Sequence, residues 1–320
     1  MHWDIRVRWP REVARITLLI LLQITPSILA LLLLSRDLLP FYTYQPFISF
    51  EQFTSLTQIT GMGSNANPPK ITLYTSHSCP WAHRSQIALR ELGLEFETVI
   101  VDLSVPRTPE YLAINPRGLV PALNYNGIIL TESAIVSQFL VDSHPSHLEK
   151  TSSEEGGALQ RAKINFFVDT YFTKVNGLFF AALRASKEEK EKEAGIFVDA
   201  IVKEIEPLVQ DAAPFFGGAS RLTLAEVRTF LNPNSNSREQ MNADISQVQT
   251  GSFLLRVLSF PKYDGLLPKS VLTTLESKAP AFWKWANAVT QEKSVTYIWN
   301  EKVVAERTRE RLAKVAAAAK

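Results

Sequence analysis

Hydrophobic and polar positions along residues 70–146 change their spacing from one short segment to the next, and each spacing predicts an element of secondary structure. Four segments are short and β-prone: residues 70–74, 96–101, 120–125 and 128–130. Asn126-Gly127 separates the last two segments, and this pair is a strong signal for a tight turn. The pattern therefore predicts a small sheet that ends in a β-hairpin.

Between these strands the apolar residues recur at the spacing of a helix. One helix begins at Pro80, because proline fits the first helical position. Its apolar stripe comprises Trp81, Ala82, Ala88, Leu89 and Leu92. Arg84 and Arg90 fall outside that stripe, which predicts that they lie off the buried face. Shorter helices are predicted over residues 109–112 and 133–143.

The second half of the chain holds no convincing strand. Residues 147–157 are rich in serine, glycine and charge and are interpreted as a linker. The pattern over residues 158–320 predicts an all-helical domain, with helices over 158–185 and 193–211 and a charged helix over 307–320. The first of these carries aromatic residues, most of which should be core: Phe166, Phe167, Tyr171, Phe172, Phe179 and Phe180.

A polar stretch interrupts this helical domain at residues 228–249. Just before it, Thr223 and Glu226 have the spacing of a capping box at a helix start. Removing residues 228–249 joins residues 224–227 to residues 250–256 and restores a helical pattern. We interpret the stretch as an inserted loop or as a retained intron in the gene model.

Residues 1–69 form an N-terminal extension whose apolar run at residues 16–34 is long enough to cross a bilayer. Arg6, Arg8 and other arginines precede the run, so the positive-inside rule keeps the N-terminus cytoplasmic. Two readings follow. Either the chain is a single-pass membrane protein, or Met62 is the true start, residues 1–61 are a gene-model extension, and the protein is cytoplasmic.

Composition narrows the function classes. A formal net charge of +2 gives no support for a nucleic-acid surface. Cys79 is the single cysteine, which excludes an internal disulfide and fits a reducing compartment. His77 and His83 lie nearby, but no second thiol or carboxylate cluster completes a site, so we predict no metal and treat both as ordinary polar neighbours.

Cys79 stands where a strand gives way to a helix N-terminus. The unpaired N–H groups and the positive end of the helix dipole favour negative charge there, so the thiol should ionise more easily than an ordinary cysteine. The alternative is a buried, inert cysteine that acts as a small hydrophobic residue.

Three motifs occur in order: Ser-Cys-Pro-Trp-Ala-His-Arg at residues 78–84, Asn-Pro-Arg-Gly-Leu-Val-Pro-Ala-Leu at residues 115–123, and Leu-Thr-Glu-Ser-Ala-Ile at residues 130–135. Together they resemble the cysteine-type, omega-like members of the glutathione S-transferase superfamily. The first motif is also similar to that of glutathionyl-hydroquinone reductases. The resemblance implies an α/β thioredoxin-like domain at residues 70–146 followed by the all-α domain at residues 158–320, a homodimer, and glutathione as co-substrate.

The resemblance also implies roles for individual residues. A cis bond before Pro121 would turn the backbone of Val120 outward to pair with the cysteine of glutathione. Glu132 and Ser133, at the start of a helix, would bind the γ-glutamyl group. Arg107 is a near match for the basic residue that holds the glycine carboxylate.

A catalytic cysteine at position 79 implies chemistry at sulfur. The predicted function is thiol transfer or reduction with glutathione, through a mixed disulfide on Cys79 that a second glutathione resolves. Two alternatives stay open. One is glutathione conjugation of small electrophiles, including secondary-metabolite intermediates, with a hydrophobic or electrophilic second substrate. The other is a non-catalytic or membrane-inserting omega-like relative, with membrane association through residues 16–34.

Overall fold

The structure is a computed structural model of the chain, and it describes residues 68–227 and 250–318. The apolar segment 16–34, the alternative start at Met62 and the predicted insertion 228–249 lie outside these residues. Within the two described ranges, no helix combines the length and the apolar character that a membrane crossing requires.

A four-stranded sheet organises the first part of the described chain. Its strands are β1 (Ile71–Thr75), β2 (Glu97–Ile100), β3 (Ala122–Tyr125) and β4 (Ile128–Thr131). They lie in the order β2-β1-β3-β4, with β2 parallel to β1 and the other two pairs antiparallel. Asn126 and Gly127 both have positive φ, as a two-residue hairpin turn requires. The predicted strands and hairpin are confirmed.

Helices cover both faces of this sheet. They are α1 (Pro80–Glu91), α2 (Pro109–Ile114) and α3 (Ser133–Ser143). Side chains alternate along β1, so that Leu73 packs in the large core with residues of α1 and α3, whereas Tyr74 packs in a smaller cluster with Tyr111 of α2. The order of strands and helices is that of a thioredoxin-like domain, as predicted.

The described residues from 157 onward are helical. The helices are α4 (Gly157–Thr170), α5 (Gly177–Arg184), α6 (Lys190–Ala200), α7 (Leu224–Val227), α8 (Thr250–Ser259), α9 (Ser270–Lys278), α10 (Pro280–Val289), α11 (Lys293–Thr296) and α12 (Glu301–Ala318). A π-helical turn, Tyr171–Asn176, joins α4 to α5, so the predicted long helix is continuous from Gly157 to Arg184. The thioredoxin-like domain followed by a helical region is the predicted fold class.

Aromatic side chains fill the core of the helical region. Phe167, Phe179, Phe253 and Trp285 are all almost completely buried. Their rings form two edge-to-face pairs, Phe167 with Trp285 and Phe179 with Phe253. Most of the aromatic residues predicted for the core are buried, namely Phe167, Tyr171, Phe179 and Phe180. Phe166 is 62% exposed, because it lies on the side of α4 that faces away from this core.

The polar side of α1 departs from the prediction. Arg84 is completely buried, and His83, Ser85 and Gln86 are buried as well. The cause is packing on two sides, because α3 covers one side of α1 and helices α8 and α11 cover another. Arg90 is exposed, as predicted.

The capping box at the start of α7 is confirmed. The Thr223 hydroxyl accepts from the backbone N–H of Ala225 (3.2 Å), and Glu226 Oε2 accepts from the backbone N–H (2.7 Å) and the hydroxyl (2.7 Å) of Thr223. The other carboxylate oxygen of Glu226 accepts from the backbone N–H of Phe216 (2.8 Å) and from Trp285 Nε1 (2.8 Å). Glu226 therefore joins three separate segments through one buried side chain.

Candidate active site

Cys79 is the N-cap residue of α1, between the end of β1 and Pro80. Its backbone N–H donates to Ser76 O (3.0 Å), and its carbonyl accepts from the backbone N–H of His83 (3.2 Å). Only 9% of its surface is exposed, and its Sγ lies 3.9 Å from Val120 O. The side chain thus sits at the positive end of the helix, largely shielded from water.

Three strands end or begin beside Cys79. Tyr74 of β1 pairs with Ala122 of β3, and Ala122 pairs with Thr131 of β4. Within a few residues of these three pairing positions lie the predicted site residues Cys79, Val120, Pro121, Glu132 and Ser133. The fold therefore brings the three sequence motifs to one end of the sheet.

The Val120–Pro121 peptide bond is cis, which confirms that prediction. Leu119, which precedes Val120, is held in place by two side chains. Its carbonyl oxygen accepts from Asn115 Nδ2 (2.8 Å) and from the Tyr111 hydroxyl. Tyr111 and Asn115 are thus positioning residues for this segment. The sequence motifs assign no separate role to Asn115, and Tyr111 lies outside all three of them.

Glu132 has an unusual backbone conformation, with φ 67° and ψ 109°. Positive φ is costly for a residue other than glycine and is found at sites that require a particular geometry. Its carboxylate pairs with the guanidinium of Arg117 on the surface. Ser133 is buried and begins α3, so the helix N-terminus adjoins both predicted binding residues.

Arg107 is engaged with backbone carbonyls. Its Nε donates to Gly118 O (2.9 Å), and its Nη1 donates to Asp102 O (2.8 Å) and Val105 O. Gly118 has φ 63°, and a Cβ added there would lie 3.0 Å from Arg107 Cγ. Arg107 therefore links residues 102–105 to Gly118 through its hydrogen bonds. Its role in binding glutathione stays a prediction.

Comparison with known proteins agrees with this geometry. A family model for the glutathione S-transferase N-terminal domain matches residues 78–143. Glutathione S-transferase omega-1 of Rattus norvegicus is 30% identical over 171 residues, which are 50% of this chain and 67% of that protein. The chain belongs to the glutathione S-transferase superfamily.

Further relatives of this transferase place it among omega-like and zeta-like members. A zeta-class glutathione S-transferase of Euphorbia esula is 28% identical over 186 residues, covering 57% of this chain and 82% of that protein. The crystal structure of glutathione transferase Omega 2C from Trametes versicolor matches with a TM-score of 0.57 and 27% identity, over 77% of this chain and 100% of that one. Relatives in this family use glutathione as co-substrate.

Two arginines of the helical region contact the residue before Cys79. Arg256 of α8 donates from Nη2 to Ser78 O (3.2 Å), and Arg307 of α12 donates from Nη1 to the Ser78 hydroxyl (3.1 Å). Neither contact was predicted from the sequence. No local pattern could have found them, because they lie 178 and 229 positions along the chain from Ser78.

The two histidines near Cys79 differ in their exposure to solvent. His77 is exposed, whereas His83 exposes only 2% of its surface. Burial, with a smaller contribution from the positive charge of Arg256, lowers the pKa of His83 from 6.5 to about 3. Among the described residues, no group of three or more potential ligand side chains could hold a metal ion.

Acidification should destabilise the transferase through His83. The pKa of His83 is lower in the folded state, so the unfolded chain binds a proton between the two pKa values and stability falls as the pH falls. From about pH 6.5 to about pH 5, the free energy of unfolding should decrease by about 1.5 kcal/mol from this group alone. His83→Gln should remove that part of the decrease. Urea unfolding followed by circular dichroism at several pH values tests this, and equal pH slopes for the two proteins would contradict it.

Proposed function

We propose that this transferase catalyses thiol transfer or reduction with glutathione, with Cys79 as the nucleophile. The observation that supports this most directly is the position of Cys79 at the N-terminus of α1, with its Sγ 3.9 Å from Val120 O. The helix terminus favours the thiolate, which is the reactive form of cysteine. A tyrosine or serine at this place would instead donate a hydrogen bond to glutathione and promote conjugation.

The glutathione site of this proposal surrounds that sulfur. The backbone of Val120 pairs with the cysteine of glutathione, in the manner of an added strand. Glu132 binds the γ-glutamyl ammonium, and Ser133 with the N–H groups at the start of α3 binds the γ-glutamyl carboxylate. Arg107 is the candidate for the glycine carboxylate, and its Nε and Nη1 already donate to backbone carbonyls.

The reaction runs in two balanced exchanges. The Cys79 thiolate attacks the glutathione sulfur of a mixed disulfide, which forms a Cys79–glutathione disulfide and releases the substrate thiolate. A second glutathione thiolate then attacks the glutathione sulfur bound to Cys79, which releases oxidised glutathione and restores the thiolate of Cys79. The chain needs no second cysteine for this cycle, which is consistent with its single cysteine.

The proposal includes a small hydrophobic or electrophilic second substrate and a homodimer. Ile135 on α3, and Leu159 and Phe166 on α4, are each more than half exposed. Apolar side chains at the surface of these helices would be covered by a contact between subunits. Light scattering of the purified transferase measures the oligomeric state directly.

Incubation with oxidised glutathione tests the assignment of the nucleophile. We expect intact-mass spectrometry to show one glutathionyl group per chain, located on Cys79 by peptide mapping and removed by added reduced glutathione. An unmodified protein would show that Cys79 is the inert, buried cysteine. Absence of glutathione binding in calorimetry would favour a non-catalytic or membrane-inserting relative.

A further inference from the structure

We propose that Arg256 is a positioning residue, which supplies from the helical region the positive charge that pairs with the Cys79 thiolate. The inference rests on the proposed function, because it concerns the same sulfur. It adds to that function a group that lies outside all three sequence motifs.

The guanidinium of Arg256 is fixed next to the cysteine. Arg256 is 5% exposed, and its Nη1 donates to the carbonyl (2.7 Å) and the hydroxyl of Ser252, one turn earlier on α8. Its Nη2 donates to Ser78 O (3.2 Å), the carbonyl of the peptide that leads into Cys79. The ring of Trp299 lies 5.2 Å from the guanidinium carbon. These contacts hold the guanidinium charge at the N-terminus of α1.

Among the described residues, this buried charge has no carboxylate partner. In the ranges that the structure describes, no aspartate or glutamate forms an ion pair with Arg256. An unpaired buried cation is unfavourable, and burial accordingly lowers the pKa of Arg256 to about 10. Negative charge on Cys79 or Tyr171 opposes that lowering.

Of these two groups, only Cys79 can carry the negative charge. Burial raises the pKa of Tyr171 well above its ordinary value, so its phenol stays protonated at every pH at which the protein would be assayed. The thiolate of Cys79 is then the remaining counter-charge for Arg256 among the described residues. The pairing is mutual, because a cation that the thiolate stabilises also stabilises the thiolate.

The other titratable groups around this pair leave the assignment unchanged. His83 on α1 is neutral because its pKa is lowered to about 3, and Tyr111 on α2 is protonated because burial raises its pKa to about 12. His77 is exposed, and Arg307 is exposed as well, so water screens the charge of Arg307. Arg84 of α1 is also buried. Arg256 is the buried cation whose guanidinium contacts the peptide that leads into Cys79.

Arg256 also favours the second exchange of the proposed cycle. When Cys79 is in a disulfide with glutathione, its sulfur is neutral and the guanidinium has lost its counter-charge. Attack by the second glutathione restores that charge on Cys79, so a nearby cation makes Cys79 the better leaving group. Loss of Arg256 should slow turnover as well as the first attack.

Alkylation of the single cysteine provides a direct test. The rate of reaction with iodoacetamide is measured against pH for the full chain, for Arg256→Met and for Arg256→Lys. The exposed Arg309 of α12, which donates to Asp264 O (2.8 Å), gives the control Arg309→Met. For the unaltered protein we expect a midpoint well below the ordinary thiol value of about 8.5.

Arg256→Met should raise that midpoint by about one pH unit or more. At pH values below the midpoints of both proteins, the variant should then be alkylated about tenfold more slowly. Arg256→Lys should keep most of the low midpoint, and Arg309→Met should keep all of it. A low midpoint that Arg256→Met leaves unchanged would overturn this inference while leaving the proposed function intact. An ordinary midpoint in the unaltered protein would overturn both.

A purely structural role for Arg256 predicts a different result, namely a lower melting temperature with no change in the midpoint. If Arg256→Met does not fold, Ser252→Ala takes its place, because it removes one acceptor of the guanidinium and keeps the charge. This variant should raise the midpoint in the same direction by a smaller amount, and an unchanged midpoint would again overturn the inference.

Discussion

Cys79→Ser should lower glutathione-dependent reduction of a mixed disulfide by about 10³-fold or more. Serine keeps the shape of the side chain at the start of α1, but its hydroxyl stays protonated near neutral pH and cannot form a disulfide. The measurement is the initial rate with hydroxyethyl disulfide and with dehydroascorbate, each in the presence of reduced glutathione. Because the two side chains are similar in size, the free energy of unfolding should change by less than about 1 kcal/mol.

The same variant separates thiol transfer from conjugation. Assay with an aryl halide reports conjugation of glutathione to an electrophile. Strong conjugation that survives Cys79→Ser, together with weak thiol transfer in the unaltered protein, would favour the conjugating enzyme. Thiol transfer that persists in Cys79→Ser would remove Cys79 from the mechanism altogether.

Glu226→Ala should lower the free energy of unfolding by about 3–5 kcal/mol. The substitution removes the acceptor for two backbone N–H groups, one hydroxyl and the Trp285 indole, all of them in the buried interior. Each donor left without a partner costs free energy, and the cap of α7 is lost as well. Urea unfolding at neutral pH, followed by circular dichroism and by tryptophan fluorescence, measures the change.

Graded substitutions show whether the hydrogen bonds of Glu226 are responsible. Glu226→Gln keeps one acceptor oxygen and should lose less stability than Glu226→Ala. Trp285→Phe removes one donor to Glu226. The loss of unfolding free energy that it causes should be smaller in the Glu226→Ala variant than in the unaltered protein. Glu276→Ala, on the exposed side of α9, is the matched control and should stay within about 0.5 kcal/mol. Equal losses for Glu226→Ala and Glu276→Ala would contradict the role of Glu226.

Much of the fold follows from local patterns. The strands are short β-prone runs, Asn126-Gly127 supplies the turn, and Thr223 with Glu226 supplies the cap of α7, so each signal lies within a few residues of its effect. The cis bond before Pro121 was predicted from the resemblance of the motif.

The misplaced residues depend on contacts between distant segments. Arg84 was placed off the buried face because its position on α1 is polar, yet the helical region packs over that side of α1 and buries it. Phe166 belongs to a group of aromatic residues most of which were predicted to be core, and the period of α4 turns this one outward. Arg256 looks like an ordinary polar position in a helix, and only the tertiary fold shows that it reaches Ser78.

The two arginines on Ser78 have a consequence for synthesis. The ribosome makes the loop that carries Cys79 long before it makes Arg256, and Arg307 comes later still, 229 positions beyond Ser78. A nascent chain that already contains all three motifs therefore lacks both contacts. Its sulfur emerges before the charge that would activate it, so we expect the reactivity of Cys79 to arise only after Arg256 has been synthesised and α8 has packed against α1.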